Sequence, residues 1–141
     1  MSWLKQWMEI HQVVREFLDS IPPDIYQKQS FAPRFKSFAW GFSCILTTME
    51  IYLEGLGCQR LDVNTKCRSS EGALALSKGE MRLELERTYK EILCLIADKK
   101  VSGILFWGEK TSKAEVVSWP LQHEQLHFGK LMLYCAQAEI S

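Results

Sequence analysis

Apolar side chains return every three or four positions through residues 2–19. Trp3, Trp7, Ile10, Val14, Phe17 and Leu18, with His11 among them, predict one buried stripe of an amphipathic helix. Ser20 and the Ile21-Pro22-Pro23 run stop it, because proline gives no N–H to the helix ladder and restricts its predecessor. A polar connection from Asp24 to Ser30 follows, with room for one short helical turn. A second, longer helix is expected from near Pro33 to just before Gly55 or Gly57. Its apolar residues (Phe35, Phe38, Trp40, Phe42, Ile45, Leu46, Met49, Tyr52, Leu53 and Leu56) cover much of its girth, the pattern of a helix buried on several sides.

Residues 57–76 carry Gly57, Asn64, Ser69, Ser70 and Gly72 and read as a surface loop. Ser77 and Glu80 have the spacing of a capping box and open a third helix. Met81, Leu85, Tyr89, Ile92 and Ile96 form its inward stripe, and it is expected to end around Asp98-Lys99-Lys100. Over residues 101–118 the helical period fails. Ile104–Trp107 and Val116–Trp119 flank a turn-prone Gly108–Lys113 stretch, and predict a short hairpin or an extended run over the end of the helices. Pro120 then introduces a fourth helix, from about Leu121 to near Ala138. With no internal repeat or low-complexity tract, the pattern predicts one all-α domain over 1–141: an up-and-down four-helix bundle with a short extended or hairpin segment before the last helix.

Composition narrows the function classes. A chain of 141 residues can bury one sizeable core. Seventeen basic residues balance seventeen acidic ones, so the electrostatic footprint of a nucleic-acid or anionic-membrane binder is missing. Neutrality also weakens the repulsion between copies, which mildly favours self-association. The N-terminus lacks a signal-peptide layout, and no stretch approaches the roughly eighteen apolar residues of a membrane span. Cys44, Cys58, Cys67, Cys94 and Cys135 are odd in number and widely spaced, the usage of reduced thiols in a cytoplasmic protein. Only a loop closed through Cys58 and Cys67 is conceivable as a disulfide.

One constellation carries chemistry. The fourth helix opens with His123-Glu124-Gln125-Leu126-His127. Residues four apart lie about 40° from each other around a helix, one turn along it, so both imidazoles can converge on one ion. The same face continues to Leu131 and Tyr134, so the pair is expected to point inward. The same five residues fit the His-Glu-x-x-His pattern of zinc proteases, in which the glutamate is a general base. That reading needs a third ligand downstream. Only fourteen residues follow His127, and the one candidate, Glu139, lies some three turns along the same helix.

The run from His123 through Phe128, Gly129 and Lys130 to Tyr134 resembles the last helix of the DinB-like (YfiT-like) family, a His-x-x-x-His followed by a glycine, a polar residue and a tyrosine. The stretch Phe35–Trp40, leading to Glu50-Ile51-Tyr52-Leu53-Glu54, is similar to that family's second helix. The resemblance covers most of the chain in length and helix order, and its specific part is the fourth helix. It implies an up-and-down four-helix bundle, often dimeric, that holds a divalent metal such as zinc or nickel with three histidines. It further implies a small-molecule substrate or thiol, in a metal-dependent thiol transferase or hydrolase.

One departure stands out: the second helix has no histidine. By spacing from Trp40, Cys44 falls closest to the missing ligand, with Thr48 the alternative register. The expected metal set is therefore His123, His127 and Cys44. His11, on the stripe of the first helix, is either a core residue or a group approaching the site from another helix. Tyr134 and Glu124 are candidate acid–base or ligand-orienting groups. Lys130 lies near the same face, and Trp107 and Trp119 are candidates for an aromatic mouth. A degenerate, non-catalytic bundle that binds a small molecule or a protein is the competing reading.

Overall fold

The computed structural model describes residues 3–28 and 36–137 and is mostly helical, with a small three-stranded sheet. Helix α1 (Trp3–Ser20) ends where the prolines begin, and a four-residue helix, α2 (Pro23–Tyr26), fills the polar connection. On α1 the buried positions are Trp7, His11, Val14 and Leu18. Trp3, expected in the stripe, is the first residue of α1 and is 44% exposed.

Helix α3 (Phe38–Cys58) is opened by Ser37, whose side chain accepts a hydrogen bond from the Trp40 N–H. The expected start near Pro33, Phe35 of its stripe, the end of the last helix near Ala138, and Glu139 all lie outside the described residues. At its other end α3 runs through both glycines expected to stop it. Gly55 is kept for closeness: a Cβ there would meet the Leu61 side chain at 3.2 Å. The helix ends only at Gln59, in the left-handed conformation.

The expected surface loop contains more structure than its composition shows. After strand β1 (Arg60–Leu61), a turn is held by Asp62, whose carboxylate accepts from the Asn64 N–H, and then comes a short helix, α4 (Ser70–Leu74). Cys58 and Cys67 are free thiols, as are the other three cysteines. Helix α5 (Lys78–Ala97) starts with the full capping box between Ser77 and Glu80.

Strands β2 (Gly103–Phe106) and β3 (Glu109–Ser112) pair antiparallel around Trp107 and Gly108, both at positive φ, the turn that suits the strand twist. Strand β1 joins β2 in parallel, with the Leu105 and Trp107 N–H groups donating to the Gln59 and Leu61 carbonyls. The hairpin is thus real, but its second strand is Glu109–Ser112, not Val116–Trp119. Those residues belong to helix α6 (Lys113–Gln137), which starts eight residues before the expected Leu121 and carries Pro120 inside it. Ser112 accepts from the Glu115 N–H at 3.2 Å, a serine cap one turn before a glutamate. A proline inside a helix costs about 3 kcal/mol, more than one cap contributes, and the burial of Val116, Val117 and Leu121 around Pro120 offsets the difference.

The four long helices enclose one core. α6 lies between α1 and α3, α3 packs in turn against α5, and α5 meets α1 only lightly. Phe42, Ile45, Leu46, Met49, Met81 and Ile92 are buried at the centre, each stabilising the fold by roughly 1.5–3 kcal/mol. Ion pairs lace α5 to its neighbours: Arg15–Glu86 to α1, and Arg68 bonded to both Glu50 of α3 and Glu84 of α5. No helix among the described residues is long and apolar enough to cross a membrane.

Candidate functional site

The histidine pair sits where α6 runs antiparallel to α3. Phe38 stacks edge-on with Tyr134, Trp40 lies against His127, Thr48 reaches His123, and Tyr52 touches Trp119. This pairing steps one turn of α3 against one turn of α6. Close approach is made possible by Gly41, where a Cβ would stand 2.7 Å from a Leu131 methyl. The helices therefore meet tightly beside His127, and an imidazole placed there has little water around it.

Both imidazoles face this seam, with ring centres 4.4 Å apart. His127 is 6% exposed, and His123 is half-buried. Burial holds both below the ordinary histidine pKa of 6.5. For His127 the neighbouring His123 and the Lys130 ammonium add to burial and bring it to about 4. For His123 burial dominates, Glu124 opposes it and Lys130 reinforces it. At neutral pH both rings are neutral, the form in which imidazole binds a metal. Nδ1 of His127 is buried with no hydrogen-bond partner, an arrangement that costs about 1–3 kcal/mol unless something bonds to it.

On α3, the Thr48 hydroxyl lies 3.2 Å from His123 Nε2. Cys44 lies one turn away, between Trp40 and Thr48 along the same strip. It is half-buried, and burial raises its thiol pKa, with Lys130 pulling the other way. Lys130 itself is exposed, yet its charge reaches Cys44 and both imidazoles. Among the described residues, no three of His, Cys, Asp or Glu stand close enough together to hold a metal ion. The pair is thus presented as two nitrogen donors with a hydroxyl at one and a thiol nearby.

Glu124 and His11 go elsewhere. Glu124 is fully buried on the adjacent, α1-facing side of α6, where it accepts from Trp7 Nε1 at 2.9 Å. His11 Nδ1 stands 3.3 and 3.4 Å from its two carboxylate oxygens, and the His11 ring stacks on Tyr89 at 3.9 Å. Glu124 therefore turns away from the histidine seam and is not placed as a base for the protease-type pattern. His11 does not approach the pair. The signal for this cluster was present on α1: Trp7 and His11 are one turn apart on a buried stripe, and both carry a ring N–H that needs an acceptor.

Tyr134 ends as a buried ring whose hydroxyl accepts from the Lys36 N–H at 3.2 Å. Trp119 packs with Phe106 and Tyr52 one turn before His123, while Trp107 stays 57% exposed on the face of Phe106. This aromatic cluster closes the hairpin end of the seam. Comparison with known proteins finds no protein family whose model matches the chain and no curated protein similar to it.

Proposed function

We propose that the chain is a divalent-metal-binding protein of the DinB-like kind, an up-and-down four-helix bundle whose α6 supplies His123 and His127 as ligands. What supports this reading is one observation: two neutral, inward imidazoles one turn apart, of which His127 has a buried Nδ1 with no protein partner. The residues fit a metal as a two-histidine half-site. Zinc or nickel suits nitrogen donors of this type. Cys44 is the proposed third ligand, and its thiol must turn toward the pair and give up its proton to serve. When bound, the metal would supply a Lewis acid with open positions for water or a small-molecule thiol, as a thiol transferase or hydrolase needs. In that chemistry Trp40 and the Gly41–Leu131 contact exclude water, and Lys130 favours an anionic ligand.

A second reading is favoured by Thr48. Its hydroxyl already occupies His123 Nε2, which suits a non-catalytic bundle with a degenerate site that binds a small molecule or a protein. Thermal melting of untagged protein with zinc or nickel separates the two. The metal reading expects a saturable rise in melting temperature that His127→Ala abolishes, and that Thr48→Val leaves intact or increases. No rise with either ion favours the second reading. A rise unchanged in Cys44→Ala removes the cysteine and keeps the histidines. We also propose that the protein is a homodimer acting without nucleic acid or membrane.

A further inference from the structure

Away from the histidine seam, α1 and α5 meet only lightly and leave an open cleft of about 390 Å³. His11, Arg15, Met8 and Tyr89 line it together with Lys5, Glu9 and Gln12, so a carboxylate and a second cation share the cleft with Arg15. His11 is 2% exposed. One edge of its ring is committed: Nδ1 faces the fully buried Glu124, which Trp7 also holds. The other edge is not, for Nε2 is buried with no hydrogen-bond partner. The ring itself cannot swing away, being stacked on Tyr89 at 3.9 Å and 15°. A carboxylate that fixes one nitrogen of an imidazole while the other stays open is the arrangement by which proteins aim a histidine at a ligand.

Arg15 stands one turn along α1 from His11, on the same face. Its guanidinium gives one N–H to Glu86 at 2.8 Å and keeps further donors. Pairing with Glu86 holds it at the cleft, and Met8, 46% exposed, adds an apolar wall. The two polar ends ask for different things. A guanidinium selects a carboxylate or similar anion. Nε2 accepts a hydrogen bond from a hydroxyl when the ring is neutral and donates to it when the ring is charged, so a hydroxyl satisfies it in either state.

We propose that this cleft is a binding site for a small organic anion bearing a hydroxyl group, with the hydroxyl on His11 Nε2 and the anionic end on Arg15. The site is separate from the histidine seam and does not depend on metal there. Because Nε2 is buried, binding there requires side chains lining the cleft to move aside.

The test uses 4-hydroxybenzoate, whose hydroxyl and carboxylate lie at opposite ends of a rigid ring, titrated into the full chain while the imidazole nitrogen signals are followed by NMR. The expected result is a saturable shift of the His11 ring signals at low millimolar ligand. Benzoate and phenol, each lacking one end, bind about tenfold more weakly, as losing one hydrogen bond to a charged or buried group implies. His11→Phe keeps the stack on Tyr89 but leaves Glu124 with fewer donors, so Arg15→Gln, at a partly exposed position, is the safer variant. It is expected to weaken binding by a similar factor with only a small fall in melting temperature from the lost, part-exposed pair with Glu86, while His123→Ala leaves binding as it was. No saturable shift at His11, equal binding of benzoate or phenol, indifference to Arg15→Gln, or loss in His123→Ala would each overturn the proposal.

Discussion

Protonating His127 in the folded protein puts a charge among buried side chains, next to a second imidazole and the Lys130 ammonium. The folded group titrates near 4 and its ordinary value is 6.5, so on acidification the unfolded chain takes up the proton first. The stability tied to the neutral ring is fully present above pH 6.5 and is lost as the pH falls toward 4. The shift sets an upper bound of roughly 3 kcal/mol. Urea unfolding of metal-free protein across this range is expected to show a steeper loss of stability in the wild type than in His127→Gln. Parallel profiles would show that the ring is not held neutral. Glu124 carries a complementary lesson at the same scale. Its neighbour His123 faces α3, yet Glu124, one residue on and about 100° around the helix, is committed to Trp7 and His11 of α1. A five-residue pattern that looks like one site is divided between two faces.

Helix boundaries here are decided by caps more than by breakers. Ser77→Ala removes the half of the α5 capping box made by the serine hydroxyl, which accepts from the Glu80 N–H, and keeps the Ser77 N–H bond to the Glu80 carboxylate; it is expected to cost about 1 kcal/mol in chemical denaturation. Gly103 makes a stricter demand at the head of β2. Its φ is +152°, and a Cβ there would lie 2.2 Å from the Thr111 carbonyl oxygen. Gly103→Ala must therefore part β2 from β3, with an expected loss of about 1–3 kcal/mol or more and weakened amide protection over Glu109–Ser112. These two sites show what was legible in the sequence. The α1, α3 and α5 stripes and the Ser77–Glu80 box could be read because each is a local signal repeated within one element. The start of α6 was hidden because Pro120 is a louder signal than Ser112, although Ser112 and Glu115 have the same spacing as Ser77 and Glu80. Strand β1 was illegible because two residues carry no period; its place is fixed by the distant β2. At the candidate site the inward histidines could be read from helix geometry. The Thr48 contact depended on the register between two helices, which no local pattern encodes.

Taken whole, the molecule places polar chemistry on both sides of α6: a pair of neutral imidazoles toward α3, and a carboxylate–imidazole pair toward α1. With no net charge to keep copies apart, the proposed homodimer predicts a light-scattering mass of twice 16.3 kDa at tens of micromolar. A monomer under those conditions ends that proposal. Whether the His123–His127 seam binds a divalent metal is decided by zinc competition against a chromophoric chelator, using untagged protein. One equivalent of zinc per chain is expected to be taken up, with affinity falling in His127→Ala by more than the roughly hundredfold that losing an outer contact to a ligand can cost. Failure to compete for zinc, or uptake that His127→Ala leaves unchanged, would contradict metal binding at this seam.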